Sequence, residues 1–179
     1  MSREAAGGRA FPALVVVLAL AAFSSCGYRL SASGGSRFAD PALKVDIRPF
    51  TNASVVPDAG AFLAGRLRDE MLRSGFRGRF LRDGADYQVE GTIREIRETV
   101  VSHGADNFAL EHRLAVFVDI RVVELVHGRL LWKGEGLSES ASYYAGADFQ
   151  YTESNRRTVF EEVSRRLARR IGQTLRVLL

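Results

Sequence analysis

Apolar and polar side chains alternate along this chain with two different periods, and each change of period marks an element. Leu43, Val45 and Ile47 alternate with Lys44, Asp46 and Arg48, the period-two signature of a strand with one buried face. Pro49, which has no N–H for a ladder, predicts that strand's end or an edge position. After Thr51 to Pro57, Asp58 is placed to cap a helix with apolar positions Phe62, Leu63, Leu67, Met71 and Leu72, and Gly75 to stop it. Phe76 to Leu81 reads as a short strand, and Asp83-Gly84 as a turn. Tyr87, Val89, Gly91 and Ile93 then alternate with Gln88, Glu90, Thr92 and Arg94. The phase slips so that Ile96 takes the next apolar place, which predicts a bulge near Glu95.

A polar loop, Ser102 to Asn107, precedes the strongest strand signal in the chain. Leu110, His112, Leu114, Val116, Val118, Ile120 and Val122 share one face, while Glu111, Arg113, Asp119 and Arg121 take the other. Extended to Val126, this strand would reach roughly 55 Å, so it must bend at bulges or project beyond its helices. His127-Gly128 predicts a turn into a second strand, Leu130 to Leu137, closing a hairpin. Ala141 to Tyr151 reads as an aromatic, polar loop. In the terminal segment Phe160, Val163, Leu167, Ile171, Leu175 and Leu178 recur at spacings of three and four, a long helix with one apolar stripe. Two amphipathic helices and one amphipathic sheet satisfy each other by stacking. The predicted fold is an α+β two-layer sandwich with a mostly antiparallel sheet of about four strands.

The amino end has a different pattern. Phe11 to Phe23 is almost wholly apolar, preceded by Arg3 and Arg9 and followed by Ser24, Ser25 and Cys26, the only cysteine. The run is too short for a transmembrane helix, which needs about 20 apolar residues, and matches a signal-peptide core. Small residues before a cysteine predict cleavage there and a diacylglycerol on its thiol, followed by N-acylation, although Phe23 stands where Leu, Val or Ile is usual. An ordinary secretory signal ahead of a buried cysteine is the competing reading. The predicted organisation is a lipoprotein signal peptide at 1–25, a lipidated N-terminus and Ser/Gly/Ala-rich tether at 26–40, and one folded domain at 41–179.

Charge and chemistry then narrow the classes. The chain carries a net charge of +4, almost all of its basic residues being arginine, with Lys44 and Lys133 the only lysines. Arginine's planar fork suits phosphate and carboxylate partners, and a GC-rich genome would give the same bias. No nucleophile with a base, paired carboxylates or phosphate loop has convincing spacing, so no enzyme and no cofactor beyond the Cys26 lipid is expected. His103, His112 and His127 fall in a loop, on an apolar face and in a turn, a poor set of metal ligands. Gly134 and Gly136 lie within a strand, where they mark a bulge or close contact. The outer face of the last helix carries Arg156, Arg157, Arg165, Arg166, Arg169, Arg170 and Arg176. Export argues against nucleic acid as its partner, leaving a solvated face or a membrane surface. Arg129 and Lys133, flanking Leu130, Leu131 and Trp132, place cations beside large apolar groups and are candidate contacts for an amphiphile with phosphates.

These residues carry a family resemblance. Cys26-Gly27-Tyr28, the strand Val45 to Asn52, Ala85-Asp86-Tyr87 leading to Glu90-Gly91-Thr92-Ile93, and the terminal amphipathic helix together resemble the LptE family of lipopolysaccharide-assembly lipoproteins. The resemblance implies two helices on a mostly antiparallel sheet and a non-enzymatic role in the outer membrane. It further implies a plug and assembly partner inside the LptD β-barrel that contacts lipopolysaccharide, for which Arg129 and Lys133 are the candidates here. Gly27 in place of Asp after the cysteine favours the outer membrane by the usual sorting rule. The first strand also resembles that of lipoprotein activators of peptidoglycan synthases, the alternative reading.

Overall fold

In the computed structural model, residues 37–104, 109–146 and 148–179 are described, and Cys26 and the segment read as a signal peptide lie outside them. After a 3-10 turn at Arg37–Ala39, the elements run β1 (Lys44–Ile47), β2 (Thr51–Asn52), α1 (Ala59–Arg73), β3 (Arg79–Phe80), β4 (Tyr87–His103), β5 (Ala109–Glu124), β6 (Arg129–Tyr144) and α2 (Phe149–Leu178). The α+β sandwich is as expected, but the sheet has six strands in the order β3-β1-β4-β5-β6, with β2 also paired to β4. It is mixed rather than mostly antiparallel. β1 is parallel to both β3 and β4, and β2 is parallel to β4, while β4-β5 and β5-β6 are antiparallel. The reason lies in the chain path: α1 is a crossover that returns the chain in the starting direction, and parallel neighbours need such a connection. β2 and β3 hold two residues each, too few for alternation to register.

Packing follows the apolar periods closely. Val45, Ile47, Val89 and Ile93 join Leu114, Val116, Val118, Ile120 and Val122 on one sheet face, against Leu63, Leu67 and Met71 of α1 and Val163, Leu167, Ile171 and Leu175 of α2, in a single core. Each large side chain buried there contributes about 1.5–3 kcal/mol, which fixes both helices to the same face. The slip after Ile93 is a register shift between Ile93 and Glu95, as the phase predicted. β5 resolves its excess length both ways, with irregularities in its ladders and with Val100, Val101 and Leu110 exposed beyond the helices.

Several local expectations change. Asp58 precedes α1 in a left-handed conformation and makes no side-chain cap; only its carbonyl accepts a bond, from the Phe62 N–H at 2.9 Å. Leu72 is 54% exposed rather than packed. Gly75 does stop α1: its N–H bonds the Leu72 carbonyl at 3.2 Å, and the next N–H, of Phe76, bonds that of Met71 at 3.0 Å. Pro49 closes β1, which is not an edge strand. β6 continues to Tyr144, so the loop read as Ala141 to Tyr151 is shorter, and α2 begins at Phe149 with the Asp148 carboxylate accepting from the Gln150 N–H at 2.9 Å. The packed part also starts before Pro41. Phe38 is 2% exposed, its ring edge-on to Phe76 at 5.3 Å, because an aromatic this close to the sheet buries more area than a tether would.

Candidate functional site

With both helices on one face, the other face of the long strands is covered by no other element among the described residues. Register sets its rows: Glu90, Arg121 and Lys133; Thr92 and Asp119; Glu95, Phe117 and Ser138; Arg97, Ala115 and Ser140; Thr99, Arg113 and Ser142. Charges of both signs are interleaved. Arg94 bonds Asp119, Arg97 bonds Glu95 at 2.6 Å and lies 5.0 Å over the Phe117 ring, and Arg121 stands 3.8 Å from Glu90. The Arg97 hydrogen bond holds the Glu95 carboxyl below its ordinary range. This is a polar surface rich in hydrogen-bonding groups.

One kink shapes its edge. Glu135 and Gly136 together oppose Asp119, a bulge in which Gly136 has φ 62°, a conformation glycine adopts without penalty. The Asp119 carboxylate accepts the freed Gly136 N–H at 2.8 Å. Burial pushes that carboxyl up, but the Gly136 N–H and Arg94 outweigh it and hold it below the usual range. Gly134, buried beside it, lies under the Trp132 ring, where a Cβ would stand 2.5 Å from a ring carbon. Both glycines therefore have the structural roles their strand position implied.

The two candidate amphiphile contacts are not brought together. A second irregularity, at Leu131, places Arg129 opposite Glu124 and Lys133 opposite Arg121, and Glu124 and Arg121 point to opposite faces of β5. Arg129 pairs with Glu124 at 3.3 Å, and Lys133 with Glu135 at 2.5 Å. Equal parity in sequence implied a shared face, and the extra residue reverses it. His127 lies 3.2 Å from the same Glu124, and His112 stacks on Tyr143 with ring centroids 5.3 Å apart. Among the described residues no group of three or more His, Cys, Asp or Glu is placed to hold a metal ion.

The arginine face of α2 divides into two sets. Arg156 bonds Glu98 and Glu153, Arg157 lies 3.8 Å from Glu161, Arg166 bonds Glu162, and Arg170 lies 3.8 Å from Glu139. Arg165, Arg169 and Arg176 are exposed and have no ion pair among the described residues. Within the first set Arg156 and Arg170 tie the helix to β4 and β6, whereas the Arg157 and Arg166 pairs lie within α2 itself. Tyr143, buried on β6, donates its hydroxyl to Glu98 at 2.9 Å, so Glu98 joins β4, β6 and the start of α2.

Burial, then the hydrogen bond to Glu98, pushes the Tyr143 phenol up to about 12. A raised folded-state value means its stabilisation is complete below the unfolded value near 10 and is lost as pH rises toward about 12. Tyr143→Phe is expected to lower stability by about 1–2 kcal/mol at neutral pH, since a hydrogen bond to a charged group is lost. It is also expected to flatten the decline in urea-unfolding midpoint between pH 10 and 12. An unchanged alkaline slope in the variant rejects this assignment.

No helix among the described residues is long and apolar enough to cross a membrane. The model of the LptE lipopolysaccharide-assembly family matches residues 43–175. No curated protein matches the chain. Solved structures share its fold. A minor lipoprotein from Acinetobacter baumannii is 17% identical over 75% of this chain and 90% of its own, with a TM-score of 0.53. The rare lipoprotein B from Shewanella oneidensis is 14% identical over 74% and 92%, with a TM-score of 0.52. A lipoprotein from Caulobacter crescentus is 20% identical over 72% and 88%, with a TM-score of 0.51.

Proposed function

The chain belongs to the LptE lipopolysaccharide-assembly family, and from that premise we propose that it is a lipid-anchored protein of the outer membrane. In this reading it fills the lumen of an LptD-like β-barrel, assists assembly of that barrel and helps deliver lipopolysaccharide to the outer leaflet. The observation that supports it best is the open sheet face. A barrel lumen is lined by polar side chains, and a plug must offer hydrogen-bonding groups of both signs over a rigid area. The rows from Glu90 to Ser142 do so, and the helices behind them make the sheet stiff. Function is then mechanical and recognitive, with no covalent chemistry assigned to any residue.

A photocrosslinking amino acid at Ser140, exposed on the open face, tests this in intact cells. The expected product is an adduct with a large outer-membrane β-barrel, absent without irradiation. An adduct with a peptidoglycan synthase at Ser140, or no barrel adduct at all, overturns the reading.

A further inference from the structure

At the carboxyl ends of the adjacent parallel strands β1 and β3 lies an open cavity of about 600 Å³. Crevices at such strand ends are recurrent ligand sites in sheets with parallel strands. Three arginines from three elements line this one: Arg48 just after β1, Arg68 from α1 and Arg82 just after β3. Asp46 is the only acid in the lining, and it is already committed. Buried at 5% exposure, its carboxylate accepts from the Arg48 Nε at 2.8 Å. Arg68 donates one N–H to the Ile47 carbonyl, which leaves the rest of its fork available. Arg82 is exposed and has no hydrogen bond or ion pair among the described residues. Its lining thus carries three guanidinium groups against one carboxylate, over an apolar floor that includes Pro49, Phe80 and Leu81.

Like charges gathered in a partly enclosed, apolar-floored site repel one another more strongly than in bulk water. A ligand carrying about two negative charges would relieve that repulsion, and planar guanidinium forks match phosphate oxygens. We infer that this cavity binds a phosphate monoester group, held by Arg68 and Arg82, with Arg48 kept in place by Asp46. The inference does not depend on the barrel reading, since Arg68 and Arg82, which would hold the phosphate, lie outside the rows on β4 to β6.

The test uses the mature lipoprotein in a nonionic detergent, with inorganic phosphate as probe against chloride at equal ionic strength. Phosphate is expected to raise the melting temperature. Arg82→Gln, which removes no contact within the fold, is expected to need about tenfold more phosphate for the same shift, the effect of one lost charge-assisted bond. Arg165→Gln removes the same charge from α2 and is expected to leave the response unchanged. No phosphate-specific shift in the unaltered protein, or equal weakening by both substitutions, overturns the site. Dihexanoyl phosphatidic acid distinguishes the source. Tighter Arg82-dependent binding than inorganic phosphate assigns a lipid headgroup whose chains lie along the apolar floor, and equal binding assigns a free phosphate ester.

Discussion

Gly60→Ala is expected to cost the domain about 3 kcal/mol or more and to lower its melting temperature by roughly 10 °C, whereas Gly65→Ala, five residues along the same helix, is expected to raise it slightly. A Cβ on Gly60 would stand 2.0 Å from the Phe50 carbonyl oxygen and 3.0 Å from its carbon, both backbone atoms. Neither can swing aside as a side-chain tip would. The Phe50 N–H also donates to the Gly60 carbonyl at 3.2 Å, so the two backbones are held at this distance by a bond that separation would break. Because Phe50 itself is buried over Gly91 in the core, the collision would spread from α1 to β4. At Gly65 a Cβ meets nothing within 4 Å, and alanine in a helix interior is worth about 0.5–1 kcal/mol over glycine. Thermal unfolding of both variants checks the pair. Similar melting temperatures would show that the close approach of α1 to the β1-β2 connection does not exist.

Cys26→Ser is expected to abolish incorporation of labelled palmitate, because the serine hydroxyl is not the thiol that takes the diacylglycerol. The consequence for membrane partition is large. Each buried methylene contributes about 0.8 kcal/mol, and stable anchoring needs two signals where one acyl chain is marginal, so loss of the lipid should reduce partition into protein-free vesicles by about a thousandfold or more. In cells the outcome separates two attachments. If the domain is also held by a barrel, the variant will stay in the outer-membrane fraction while labelling falls to zero, and it will be released when the barrel is depleted. Retained palmitate labelling would reject Cys26 as the modified residue.

Much of the fold was legible because burial leaves a local trace. The alternation of Val45 and Ile47, the stripe from Val163 to Leu175 and the phase slip before Ile96 each record which side of an element faces the core, within a few residues of one another. Other features left no such trace. Asp46 alternates like an exposed residue, and its burial depends on Arg48 and on the β4 strand beside it. Leu72 has an apolar side chain at a helical spacing, but no layer passes over it. The Arg48, Arg68 and Arg82 cavity joins residues up to 34 positions apart, and nothing local to any of them points to the other two.

By itself the sequence determined the apolar set, the two helix stripes, the long hairpin and hence the two-layer architecture, since each of these depends on spacings of two to four residues. It also carried the cysteine after an apolar run and the motif order that resembles LptE. Only the tertiary structure decided that β1 sits between two parallel neighbours, that Arg129 and Lys133 part to opposite faces at Leu131, and that Gly60 abuts the Phe50 backbone where Gly65 meets open space. Those outcomes are set by which distant backbones come within hydrogen-bonding distance. Periodicity is a property of one segment against a generic interior, whereas pairing, register and close approach are properties of two segments and are specified by neither alone.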